Sequence, residues 1–213
     1  MQFNLHNVIA NPLTDIDVST SEIWRRSLTF SSGEWIQIKA PSGKGKSTII
    51  QILYGNRKDY SGDVVLDEKK IHSFNRNKWA SLRQRHLSMI FQDLLLFNEL
   101  TGWENILLKS RLTGYYDLDK IKTISDALSV TRLLDKPCGL MSFGEKQRIS
   151  IVRALVQPFD WLLMDEPFSH LDLDNTKVAC ELIMDECENR KAGLILTSLN
   201  GGDFINYSRT VLL

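Results

Sequence analysis

Apolar residues in this 213-residue chain fall into two kinds of run. Four are short and nearly unbroken, "WIQIKA", "LSMIFQ", "WLLMDE" and "GLILTS", each bounded by polar or turn residues as strands buried on both faces are. They lie too far apart to be joined as hairpins. The other runs are longer and carry apolar residues at helical spacing: "STIIQILYG", ending on Gly55, "EKQRISIVRALV", and "NTKVACELIMDECENRKAG", expected to end near Gly193 as a helix C-cap. Strands alternating with helices predict an α/β fold whose mostly parallel sheet is covered by helices.

Two regions break that rhythm. In the N-terminal third, "FNLHNVIA", "SLTFSSGEW" and "SGDVVLDEKKI" read as antiparallel strands beside the core. Residues 93–140 show no strand pattern, only helical stretches such as "TGWENILLKSRL" and "DLDKIKTISDALSVTRLLD", which predicts an inserted helical subdomain. The organisation expected is therefore one domain, 1–213. Residues 1–92 and 141–213 would form the core with its β-subdomain, and 93–140 the helical insert.

Charge and cysteine content narrow the picture. Lys plus Arg and Asp plus Glu number 26 each, so no overall positive field favours nucleic acid as a partner. Cys138, Cys180 and Cys187 are scattered and odd in number, which suits reduced, buried thiols in a cytosolic chain. The start, "MQFNLHNVIA", lacks the basic flank and long apolar core of a signal peptide, and no later run approaches the roughly 18 apolar residues of a membrane span.

Candidate chemistry begins at "KAPSGKGKSTII". This glycine- and lysine-rich loop leads from a predicted strand into a predicted helix, whose N-terminus presents unpaired N–H groups and partial positive charge to a phosphate. Gly43 and Gly45 let the backbone wrap closely, Lys46 can reach terminal phosphates, and the Ser47 hydroxyl can ligate Mg²⁺. The strict P-loop asks for glycine where Ala40 stands. "WLLMDEP" supplies an acidic strand end. There Asp165 is suited to Mg²⁺ and Glu166 to polarising an attacking water, and Pro167 stops the strand.

Between these sites, "MSFGEKQRISIVRALV" resembles the signature of ABC-type ATPases, with "MIFQD" before the helical insert and "SHLD" after the acidic pair. The ordered set covers nearly the whole chain. The resemblance implies a P-loop NTPase fold with a RecA-like core, ATP and Mg²⁺ as ligands, and ATP hydrolysis between two cassettes closed head to tail. It implies that Ala40, Pro41, Ser42, Gly43, Lys44, Gly45, Lys46, Ser47 and Thr48 hold the nucleotide phosphates. Ser142, Gly144 and Glu145 would approach the γ-phosphate of the partner's ATP, and Asp172 would organise the dimer seam. Gln92 would contact metal and water, with Ser47 and Asp165 as the other metal-binding residues and Glu166 as the catalytic base.

The chain departs from that pattern at several positions. Phe143 replaces the first signature glycine, and Ser198 in "LILTSLN" occupies the place of the catalytic switch histidine, which implies slow or partner-dependent turnover. His170 fills the variable place in "SHLD", where an exposed or interface role is expected. The adenine-stacking aromatic is missing from "ANPL", Ala10 to Leu13; Trp24 and Phe3 are substitutes that the sequence leaves undecided.

Glu145 and "IFQDLLLFNELTGWENI" look like the lipoprotein-release, macrolide-export and cell-division branch. That branch implies a second cassette and integral membrane subunits as partners, with the chain peripheral on the cytoplasmic face of the cell membrane. The stretch Leu94 to Phe97 would be either core or the seat of a membrane partner's helix. The alternative function is a degenerate cassette that binds ATP as a switch or scaffold with negligible turnover; the retained Glu166 favours the hydrolysing motor.

Overall fold

The computed structural model describes residues 1–198 and 204–213. Near the N-terminus, β1 (Phe3–Ala10), β2 (Ser27–Phe30), β4 (Tyr60–Leu66) and β5 (Lys69–Lys70) form an antiparallel sheet in the order β2-β1-β4-β5. A second sheet is parallel throughout, in the order β6 (Leu87–Ile90), β7 (Trp161–Asp165), β8 (Gly193–Ser198), β3 (Trp35–Lys39) and β9 (Arg209–Leu212). The four apolar runs are its four central and edge strands, and β9 adds a fifth that the sequence pattern did not single out.

Alternation along these strands divides the interior in two. Trp161 and Leu163 of β7 and Ile195 of β8 face a core shared with Phe3, Trp24, Ile38 and Ile50. Leu162, Met164, Leu194 and Leu196 point the other way, onto Ile106, Ile121, Ile149 and Cys180. This is the period-2 geometry of a strand covered on both sides. Each such leucine or isoleucine contributes about 1.5–3 kcal/mol by leaving water. Cys138, Cys180 and Cys187 are buried and free, and burial pushes the Cys180 and Cys187 thiols up to about 12.

Among the described residues six α-helices complete the fold: α1 (Lys46–Leu53), α2 (Arg76–Arg85), α3 (Gly102–Ser110), α4 (Leu118–Ala127), α5 (Phe143–Leu155) and α6 (Leu173–Arg190). The stretch 93–140 contains α3 and α4 and no strand of either sheet, only an isolated bridge between Thr101 and Pro137. Thr101 and Glu104 open α3 with a reciprocal capping box. The second helical run breaks earlier than its apolar pattern suggests, because α4 stops at Ala127 and Ser129 turns left-handed.

Gly193 has a different role from the one expected. α6 ends at Arg190, with Lys191 in the left-handed cap conformation, and Gly193 is the first residue of β8. A Cβ there would come within 2.5 Å of the Trp161 ring, so this glycine exists to let an indole lie flat on the strand. α2 was absent from the sequence reading. Its apolar signal is thin, only Trp79 and Leu82 being buried among polar residues, and the Asn75 cap is its clearest sequence mark.

Candidate functional site

The parallel sheet brings the predicted chemistry to one edge. In register, Lys39 lies beside Ser198, Thr197 beside Asp165, and Met164 beside Ile90. The loop after β3, the acidic end of β7, the end of β8 and Gln92 just beyond β6 therefore gather at the carboxyl ends of adjacent strands, where open parallel sheets bind ligands.

From β3 the chain passes through buried Ala40 and turns at Gly43 and Gly45, with φ of 80° and 96°. Gly45 is the N-cap of α1 and offers no side chain to the helix's first N–H groups, which stay available to an anion. Only glycine fits here: an added Cβ would sit 2.6 Å from Leu13 and 2.9 Å from Trp24. Trp24 and Phe3 are both fully buried, so neither presents a face on which a base could stack.

Lys46 is 6% exposed, and its Nζ donates to the carbonyls of Ala40 (2.8 Å) and Pro41 (3.3 Å) and pairs with Glu166 Oε1 at 3.4 Å. Glu166 directly follows β7 with a left-handed φ of 47°, its N–H bonded to the Thr197 carbonyl at 3.1 Å. A non-glycine residue keeps that conformation only where its surroundings enforce it. Asp165 is buried, which raises its carboxyl above the usual range against the opposing pull of hydrogen bonds from Thr197 and Ser47. Thr197 Oγ1 donates to Asp165 Oδ1 at 2.7 Å, and Ser47 Oγ stands 3.4 Å from Gln92 Oε1. A cleft of about 240 Å³ opens among Ser47, Gln92, Asp165 and Phe91. A larger groove, about 570 Å³, lies instead between Lys69, Lys78 and His86 and carries none of these residues.

Ser142, Glu145 and Asp172 act locally. Ser142 caps α5, accepting from the Glu145 N–H at 3.3 Å, while Glu145 Oε2 accepts from the Ser142 N–H at 3.0 Å and pairs with Lys136. The Glu145 carboxylate is thus committed to the cap, and chiefly that backbone bond holds it below the usual carboxylate range. Asp172 caps α6 through the Asn175 N–H. Gly144 packs so tightly on the loop after β7 that a Cβ would lie 3.1 Å from the His170 carbonyl. Phe143 is half-exposed and rests on the exposed His170 ring, centroids 4.0 Å apart, while Ser169 Oγ meets His170 Nδ1 at 2.8 Å. Ser198 accepts from Gln37 Nε2 at 3.4 Å. Within the apolar stretch, Leu94 is buried whereas Leu95 and Phe97 are exposed, so core and surface alternate.

Two residues missed in the sequence hold these loops to α5. Buried Gln147 donates from its amide to the Pro167 carbonyl and accepts from the His170 N–H at 3.2 Å. Arg153 donates to the carbonyls of Leu94 and Leu95, both left-handed at φ 59° and 48°. A polar residue on the apolar face of an amphipathic helix was the available signal for Gln147. Arg153 gave none, since its partners are backbone atoms.

Comparison with known proteins bears on the family and the fold. A family model described as "ABC transporter" matches residues 24–169. The lipoprotein-releasing system ATP-binding protein LolD of Saccharophagus degradans is 34% identical over 154 residues, 71% of this chain and 68% of that protein. The cell division ATP-binding protein FtsE of Bacillus subtilis is 29% identical over 177 residues, 82% of this chain and 77% of that one. Among solved structures, the dimeric form of the bacterial ABC transporter cassette MJ0796 shares the fold, with a TM-score of 0.81 over 99% of this chain and 94% of its own, at 24% identity.

Proposed function

The chain belongs to the ABC transporter family of ATP-binding, ATP-hydrolysing subunits, and on that premise we propose how its own residues divide the work. Residues 40–48 hold the polyphosphate of ATP, with Lys46 as the cation facing it. Glu166 is the base that orients and deprotonates the attacking water. The observation that carries this reading is the 3.4 Å contact between Lys46 and Glu166, which brings phosphate loop and carboxylate to one point. An incoming phosphate competes with Glu166 for the ammonium and frees the carboxylate for water.

Ser47, Gln92 and Asp165 suit Mg²⁺ by chemistry, being oxygen donors around one cleft. Among the described residues no three His, Cys, Asp or Glu side chains gather at one point, and a bound Mg²⁺ would take its remaining ligands from phosphate oxygens and water. When bound, Mg²⁺ supplies charge neutralisation on the transferring phosphoryl group.

Ser142 and Gly144 at the start of α5 are offered to the ATP of a second copy of the chain, and Asp172 lies at the seam between the two. Phe143 and His170, exposed beside them, belong to the same face. Residues 93–140, the helical insert, carry the contact to integral membrane subunits, with exposed Leu95 and Phe97 in it. The chain itself has no described helix long and apolar enough to cross a membrane, so its place on the cytoplasmic face depends on those subunits. Similarity to LolD and FtsE supports a complex of that branch. Ser198 in place of an imidazole slows turnover.

The test is steady-state ATP turnover of wild type and Glu166→Gln, with Mg-ATP affinity measured in parallel. Turnover should fall at least about a hundredfold while affinity is retained. Equal turnover in the two proteins would remove Glu166 from the chemistry.

A further inference from the structure

Trp24 stands directly behind the phosphate-binding turn. It is fully buried, and its indole Nε1–H donates to the Lys44 carbonyl at 3.1 Å. The same ring underlies Gly45, where an added Cβ would meet it at 2.9 Å. The tryptophan is itself anchored. Its backbone N–H donates to Ser21 Oγ at 2.8 Å, and the next N–H, that of Arg25, reaches the Val8 carbonyl in β1 at 2.8 Å.

A trans peptide carries its C=O and N–H on opposite sides. A donor in the core that holds the Lys44 carbonyl inward therefore turns the N–H of Gly45 outward, toward the side from which a phosphate approaches. Gly45 makes this peptide easy to flip, because glycine tolerates both signs of φ. The glycine that lets the loop wrap also leaves its most useful donor unfixed, and the indole removes that freedom.

We propose that Trp24 is a positioning residue for nucleotide binding, presetting the 44–45 peptide so that the Gly45 N–H faces the polyphosphate. The role rests on reading residues 40–48 as the phosphate loop. It involves no contact between Trp24 and the base, in keeping with an indole that has no exposed surface.

The decisive variant carries 3-benzothienylalanine at position 24, which keeps the bicyclic shape and replaces the N–H by sulfur; Trp24→Phe is a second, simpler one. Each is compared with wild type by equilibrium titration with Mg-ATP, by kcat at saturating ATP and by thermal unfolding. For the isostere the expected result is a Kd raised about three- to tenfold, the value of one hydrogen bond, with kcat within about twofold and Tm lowered by no more than about 2–4 °C. Trp24→Phe should raise Kd as much and lower Tm further, since it also shrinks a packed ring. An isostere that binds Mg-ATP as tightly as wild type would overturn the role of Trp24 while leaving the phosphate loop in place. A wild-type chain that binds no Mg-ATP would overturn the loop reading itself.

Discussion

Gln147 offers the sharpest test of how the site is held together. Its two hydrogen bonds run to Pro167 and His170, on either side of the turn that follows Glu166, and the residue is 1% exposed. Gln147→Leu keeps much of the volume and removes both bonds. The buried Pro167 carbonyl, left without a partner in a loop that stayed in place, would cost about 1–3 kcal/mol, and the half-buried His170 N–H less. Moving outward to find water is cheaper, and it carries Glu166 with it, because the residue's left-handed backbone is maintained only by its neighbours. Much of the loss should therefore appear as misplacement of the carboxylate. A shift of about 1 Å in a reacting group can cost about a hundredfold, so kcat should fall about 10- to 100-fold at saturating ATP. Mg-ATP affinity should change by less than about threefold, since residues 40–48 are untouched. Turnover within about twofold of wild type in a folded Gln147→Leu protein would refute the reasoning, as would a parallel loss of affinity.

Two further outcomes follow from the same geometry. Asp165 has its carboxyl raised above 3.8, chiefly by burial, so in the nucleotide-free protein its contribution to stability is full below pH 3.8 and is lost as pH rises through the raised folded value. Asp165→Asn removes that loss, and urea titrations across a pH series should show the variant gaining on wild type as pH rises through the same window; a pH-independent difference would contradict the burial argument. Ser198→His should raise turnover about tenfold by restoring a group able to exchange protons near the phosphate, and a fall instead would mean the site has been rebuilt around the serine hydroxyl and its Gln37 partner.

Much of this site was legible because its chemistry sits on local sequence. A strand, a turn with two glycines and a helix start are contiguous in "WIQIKAPSGKGKSTII", and a carboxylate pair at a strand end is contiguous in "WLLMDEP". Their convergence follows from parallel strands presenting all their carboxyl ends on one edge. What stayed hidden depends on partners far along the chain. Trp24 looked like a base-stacking substitute or plain packing until its indole N–H was seen on Lys44, 20 residues away. Gly193 sat where a helix cap belongs, and the reason it starts a strand is Trp161, which no local pattern connects to it. α2 escaped notice because two buried residues in ten make a weak stripe, and its stability comes from packing.

α5 is a single helix of 13 residues, hence about 20 Å of nearly incompressible rod. Its first turn carries the Ser142–Glu145 capping box and the exposed Phe143. Gln147 grips the turn beyond Glu166, and Arg153, six positions or about 9 Å further on, grips the carbonyls beyond Gln92. Three stretches remote from one another in the chain are thus tied together through one helix. A partner that moved α5 at its first turn would therefore pull on the loops beside Glu166 and Gln92 together.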